Sequence, residues 1–252
     1  MKIVNPTQRH IPALRQLWKE AFGDNDAFLD LFFAHGFSPD RCRCVIWEDK
    51  VAAALYWFNI SCAGRKMAYL YAVATDRGFR GRGLCRMLMT DTHRHLEALH
   101  YSAALLVPQN EALRAMYRKM GYRDGPGIRE FTVKAAKQPI EARSLSAAEY
   151  AALRPKLLPE NAALQEGANL EFLCALAEFY GGPDWLAVVS KEGEGLHCPE
   201  FLGDPGIAPG LVVALGCAEG HFRTPGNDKS FAQILPLEVN APIPSHFGFP
   251  FD

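Results

Sequence analysis

Within ten residues, Arg77 to Arg86 (RGFRGRGLCR), the chain sets four arginines among three glycines, between an apolar run and an amphipathic one. Residues of these types at this spacing suit one task, holding a phosphate or pyrophosphate. Glycine has no Cβ, so an anion can come close to its backbone. At the start of a helix the first N–H groups have no partner within the helix and stand at the positive end of its dipole. A strand feeding a glycine-bearing helix N-terminus is therefore an anion cradle, and Arg77, Arg80, Arg82 and Arg86 add charge around it. Three named motifs do not fit. No Lys-Ser/Thr follows the glycines, as a P-loop requires. Gly78, Gly81 and Gly83 lack the Rossmann rhythm. A nucleic-acid RG segment is repeated, whereas this one occurs once. A basic turn that is merely solvated stays open at this point.

The elements that must position the segment are legible around it. Lys66–Thr75 (KMAYLYAVAT) reads as the strand, and Leu84, Met87, Leu88, Leu96 and Leu99 predict a helix with those residues on its inner face. Upstream, Ile11, Leu14, Leu17, Trp18 and Phe22 have helical spacing, with Thr7 as N-cap, and a Phe-rich helix is expected over Asp26–His35. Arg41–Glu48, Val51–Cys62 and Lys66–Thr75 are joined by tight connections and read as an antiparallel three-stranded meander. Downstream, a strand at Ser102–Val107 precedes a helix over Asn110–Met120 that Gly121 ends, and Glu130–Val133 is expected to close the sheet.

A second segment, Leu106–Tyr122 (LVPQNEALRAMYRKMGY), completes a pattern with the first. Together they resemble motifs A and B of the GCN5-related N-acetyltransferase (GNAT) family. Motif A is matched by Arg80-Gly81-Arg82-Gly83-Leu84-Cys85, with Cys85 where the family has Gly or Ala. Motif B is matched by Asn110 at a helix start, Tyr117 seven residues later, and Gly121-Tyr122 at the end. The resemblance covers about Met1 to Val133. It implies an α/β (α+β) GNAT fold, a mixed, mostly antiparallel twisted sheet flanked by helices, with acetyl-CoA or another acyl-CoA as acyl donor. It also implies roles. Val73, Ala74 and Thr75 would hydrogen-bond the pantetheine arm and polarise the thioester. Arg80 and the amides of Gly81, Arg82, Gly83, Leu84, Cys85 and Arg86 would take the pyrophosphate. Asn110 would line the CoA arm while capping its helix, and Tyr117 would protonate the departing thiolate, a phenol being protonated at neutral pH. The bland alternatives are a plain cap for Asn110 and groove packing for Tyr117.

No general base is visible. Lys66–Thr75 holds no carboxylate, Tyr69 and Tyr71 read as wall residues, and Asp76, His35, His93 and Glu130 lack a distinctive context. Asp252 offers a side-chain and a terminal carboxylate on a tail (APIPSHFGFPFD) whose three Phe and three Pro suggest docking.

Past a linker-like stretch, Lys134–Glu141, the rest of the chain has no counterpart of Arg80–Cys85. Helices at Ser146 (with a Ser146–Glu149 capping box), Leu170–Tyr180 and Leu211–Cys217, and strands at Trp185–Ser190, Leu196–Phe201 and Ser230–Leu237, are expected. The order resembles the silent half of tandem GNAT proteins, in which one half binds the cofactor and the other shapes the acceptor pocket. The expected division is a catalytic domain at 1–134 and a smaller, degenerate GNAT-like domain at 140–252. Phe172, Phe179, Phe201, Phe222 and Phe231 read as core.

Composition sets the outer limits. The 252 residues carry 27 Lys plus Arg against 28 Asp plus Glu, a formal net charge of −1 that argues against a nucleic-acid or membrane-surface coat. Hydrophobic residues at 49% and charged residues at 22% are those of a globular chain. No run approaches a membrane span, and Met1–Ile11 lacks the apolar core of a secretion signal. Seven scattered cysteines without a CxxC pair fit reduced cytoplasmic thiols, and Cys42 and Cys44 read as small hydrophobes on one strand face rather than half a metal site. The reading is a cytoplasmic N-acetyltransferase that moves an acetyl group directly to a small-molecule amine or peptide acceptor in a ternary complex, with no metal, nucleic-acid or membrane partner. The alternative is a non-catalytic acyl-CoA-binding or sensing protein.

Overall fold

The computed structural model describes residues 1–165 and 167–251. The chain forms two compact units. One is built from Met1–Arg123, a short segment ending at Phe172, and Gln233–Pro242; the other from Asp124–Gln165, Leu173–Ala232 and the tail from Ile243.

In the first unit β1 (Lys2–Val4), β2 (Cys42–Trp47), β3 (Lys50–Cys62) and β4 (Arg65–Thr75) are successive antiparallel neighbours, and β5 (Ala103–Leu106) follows, parallel to β4. The expected meander is present. Helix α1 (Ile11–Phe22) has Pro at its start, buries Leu14, Leu17 and Trp18, and stops at Gly23, whose φ of +82° no residue with a Cβ adopts easily. Asn25 caps α2 (Asp26–Leu31), which runs on as a π-helix over Phe32–Gly36. Helices α3 (Leu84–Ala98) and α4 (Glu111–Arg118) cover the opposite face. With both faces covered, β3 is buried almost throughout.

Three expectations change. On α3 the inner residues are Leu84, Leu88, Met89, Thr92 and Leu96; Met87 is 39% exposed and Leu99, past the helix end, 45%. Met87 lies 300° around from Leu84 at 100° per residue, on the stripe's edge. The strand at 130–133 is Gly127–Lys134, and it pairs in the second sheet; the partner of β5 is Gln233–Pro236, antiparallel to it. The helix expected to reach Tyr180 ends at Leu176, and Glu178–Gly181 is a strand.

The second unit repeats the first in outline. Glu178–Gly181, Leu186–Glu192 and Gly195–Leu202 form an antiparallel meander. A crossover helix, Ala208–Ala214, leads to Glu219–Pro225, parallel to Gly195–Leu202, and Gly127–Lys134 completes the row antiparallel. Phe201 and Phe222 are fully buried in its core, and Phe179 and Phe231 nearly so.

Candidate functional site

The site starts from a fault in a strand. Ala54 faces Ala74 while Tyr56 faces Tyr71, so three steps along β4 answer two along β3. The extra residue is accommodated at Ala72, whose φ is +48°, the signature of a β-bulge. On its other side β4 pairs with β5 only at Met67, Ala68 and Tyr69. Beyond Tyr69 no pairing with β5 follows, and β5 itself ends at Leu106. The edge of Val73, Ala74 and Thr75 that would face β5 carries no strand partner among the described residues, while Ala74 and Thr75 remain paired to β3. Free backbone groups at an opened strand end are available to a ligand.

Chain geometry then brings the glycines to that opening. The Asp76 carboxylate accepts the Gly78 N–H at 2.7 Å and caps a 3₁₀ turn, Arg77–Phe79. The Arg80 Nε donates to the Thr75 carbonyl oxygen at 3.1 Å, tying the end of β4 to the loop. Gly81 and Gly83 both take φ of +76°, and a Cβ placed on either would meet nothing within 4 Å. Gly83 is the N-cap of α3 with no side chain capping it, so the amides of the first turn point free. A cleft of about 280 Å³ lies here, lined by Thr75, Phe79, Arg80, Gly81, Gly83, Leu84, Cys85, Arg86, Met116 and Met120. Among the described residues none of Arg77, Arg80, Arg82 and Arg86 makes an ion pair. The Arg82 guanidinium lies 5.5 Å from the ring centroids of both Trp47 and Phe79.

The other expected residues lie on α4 and β4. Asn110 caps α4, its side chain accepting the Leu113 N–H at 3.0 Å, and is exposed. Val73 packs against the α3-side core and Ala74 is buried on the opposite face; neither lines the cleft. Tyr117 is 6% exposed and sits among the core residues under α3. Burial, with the Cys85 thiol nearby, pushes its phenol well above the ordinary value, so it stays protonated. Its ring meets that of Tyr122 at 5.7 Å.

The base candidates fall away one at a time. Asp76 is committed to the Gly78 amide, Glu130 is paired with Lys229 at 2.6 Å in the second unit, and His35 is exposed at the end of the π-helix. His93 is half-buried and bonded to Tyr122. Asp252 lies outside the described residues. Sequence reasoning passed over Phe79, Met116 on α4 and Met120 just past its end; the i, i+4 spacing of the two methionines was a usable signal. Nothing in the sequence flagged the bulge at Ala72. Cys42 and Cys44 are both fully buried, and burial pushes the Cys44 thiol up to about 11.

A strand end without a partner toward β5, a glycine-led helix start without a side-chain cap, and Arg80 and Arg86, which make no ion pair among the described residues, meet at one cleft. Residues 2–124 match the family model of an acetyltransferase (GNAT) domain. Over these residues the chain is a GNAT acetyltransferase domain. No curated protein matches it in sequence. Among solved structures it resembles a GCN5-related N-acetyltransferase from Kribbella flavida, with 18% identity and a TM-score of 0.74, over 95% of this chain and 73% of that one. A GCN5-related N-acetyltransferase from Anabaena variabilis has 14% identity and a TM-score of 0.73, over 94% and 73%. Eis1 from Mycobacterium abscessus has 12% identity and a TM-score of 0.70, over 96% and 75%. At such identities the likeness is one of fold.

Proposed function

We propose that the protein is an N-acetyltransferase that takes acetyl-CoA as acyl donor and passes the acetyl group directly to an amine while both substrates are bound. The observation that carries this is the convergence, at one cleft, of the opened end of β4 with the free first turn of α3. The cradle fits a pyrophosphate: Gly81 and Gly83 leave open space where a side chain would stand, and among the described residues the four arginines near it have no carboxylate partner. The backbone of Val73–Thr75 would hold the pantetheine arm and polarise the thioester carbonyl, and preorganised N–H groups of this kind stabilise charge as it develops. The amine nitrogen forms its bond to the acyl carbon as the C–S bond breaks; Tyr117 gives its proton to the leaving thiolate, and the amine proton passes to solvent. Asn110 would touch the CoA arm while holding α4, a cap worth about 1 kcal/mol by itself. A cytoplasmic location and a small-molecule amine or peptide as acceptor belong to the same reading.

We also read the second unit as a GNAT-like domain without a donor site. Asp204 caps a 3₁₀ turn, Pro205–Ile207, by accepting the Gly206 N–H at 2.8 Å, just as Asp76 does in the first unit. The helix then begins at once, at Ala208, and the segment equivalent to Arg80–Gly83 has no counterpart.

One observation favours the sensing alternative: Tyr117 is buried away from the cleft lining, and β4 carries no carboxylate. Thiol release from acetyl-CoA across a panel of amines separates the two. The enzyme reading expects amine-dependent release, and Tyr117→Phe should lower kcat by about 10²–10⁴-fold, the usual range for general acid catalysis, with little change in acetyl-CoA affinity. Saturable binding without turnover on any amine would leave the sensor.

A further inference from the structure

The C-terminal end of α4 is built in a way that fixes one tyrosine against another. Gly121 takes a φ of +95°, its N–H bonds the Arg118 carbonyl oxygen at 3.0 Å, and the Tyr122 N–H reaches back to the Tyr117 carbonyl oxygen at 3.1 Å. This is the Schellman closure, in which the two residues joined by the longer bond also make an apolar contact. Here that contact is the edge-on meeting of the Tyr117 and Tyr122 rings at 5.7 Å. The Gly-Tyr that follows Tyr117 in the sequence is thus the device that brings a second ring against it.

Tyr122 is in turn held from another element. Its hydroxyl lies 2.9 Å from Nε2 of His93 on α3, and the two rings are 5.6 Å apart. Burial drives the Tyr122 phenol strongly upward and brings His93 down to about 4. Both are neutral at physiological pH, and the tautomer of His93 sets which of the two donates. Among the described residues, the other titratable groups acting on this pair are the Tyr117 phenol and the Cys85 thiol, also neutral. Cys85 lines the cleft from the first turn of the same helix that carries His93.

We propose that His93 and Tyr122 are positioning residues for Tyr117: the hydrogen bond from α3 holds Tyr122, and Tyr122 holds the Tyr117 ring beside the first turn of α3. The proposal rests on Tyr117 being the acid, and it adds two residues that touch neither substrate. A displaced acid loses rate steeply, since misplacement by about 1 Å can cost about 10²-fold.

The test uses the full-length protein in six forms: wild type, His93→Phe, His93→Gln, Tyr122→Phe, the double variant His93→Phe/Tyr122→Phe, and Tyr117→Phe. Tyrosine labelled with ¹³C at Cζ reports the Tyr117 ring, whose signal is assigned by its loss in Tyr117→Phe. His93→Phe and Tyr122→Phe should each shift or broaden that signal and lower kcat by about ten- to hundredfold, with acetyl-CoA affinity unchanged. The two together should cost no more than either alone, because one bond is removed. Glutamine can either accept from or donate to the Tyr122 hydroxyl, so His93→Gln should restore both the signal and most of the rate. An unmoved Tyr117 signal in His93→Phe, or a Gln variant as impaired as the Phe variant, would overturn the proposal. A different outcome isolates the acid reading: if Tyr117→Phe keeps full kcat, that reading fails, while the ¹³C signal still decides whether His93 holds the ring.

Discussion

At the scale of single residues, the two sides of the cleft differ in how visible they were. The arginines and glycines of Arg77–Arg86 could be read directly, because glycine at a helix start and unpaired cations have few other uses. Tyr117 was visible only as a spacing, and its burial, which no spacing announces, makes its hydroxyl depend on neighbours rather than on solvent. His93 had no signal, since its partner Tyr122 is 29 residues away. Its burial has a consequence for stability. Burial lowers His93, and also His246 in the second unit, from 6.5 to about 4. Between those values the unfolded chain binds protons that the folded chain does not, so stability is full above about pH 6.5 and falls as pH drops towards 4. A denaturant midpoint measured across that range should decline, and His93→Gln should decline less. A His93→Gln slope equal to that of wild type would mean that His93 is not held neutral by the fold.

At the scale of elements, the strands and helices were legible wherever their period was clean. The meander from Cys42 to Thr75 and the helices at Ile11 and Leu84 follow apolar spacing, and the helix at Glu111 also has its expected cap, Asn110; Thr7 stands instead before a 3₁₀ turn, Gln8–His10, and the helix at Ile11 starts from His10 without a side-chain cap. What was not legible is the bulge, because Ala72 is an unremarkable residue in an apolar run, and its φ of +48° is set by the register between β3 and β4. A non-glycine residue there carries a conformational cost that glycine would not. Ala72→Gly should therefore leave acetyl-CoA affinity intact and hold or slightly raise the melting temperature. Ala72→Val puts a β-branched side chain where positive φ is an outlier, and should lower both. Equal behaviour of the two variants would show that the positive φ at Ala72 does not shape this end of β4.

At the scale of the whole molecule, the division of the chain was the hardest feature to read, because each sheet takes its last strand from the far side of the chain order. Gly127–Lys134 follows the first unit's helices yet pairs with Glu219–Pro225, and Gln233–Pro236 follows the second unit's strands yet pairs with β5. Both look alike in sequence, a short apolar run after a loop, and nothing local states the partner. Ile234 is fully buried in this pairing. Ile234→Ala should cost about 2–5 kcal/mol, or roughly 4–20 °C in melting temperature for a chain of this size; an unchanged melting temperature would show that the strand does not complete the first sheet. The central claim is that the turn before α3 receives the donor. Isothermal titration of acetyl-CoA into the wild type and into Gly83→Asp, with folding of both checked by circular dichroism, tests it most directly. Gly83 leaves open space at the helix N-terminus, and aspartate would fill it with a side chain and a negative charge. One saturable site in the wild type and none in the folded variant is the expected result. No binding to the wild type, or equal affinity in Gly83→Asp, would contradict it.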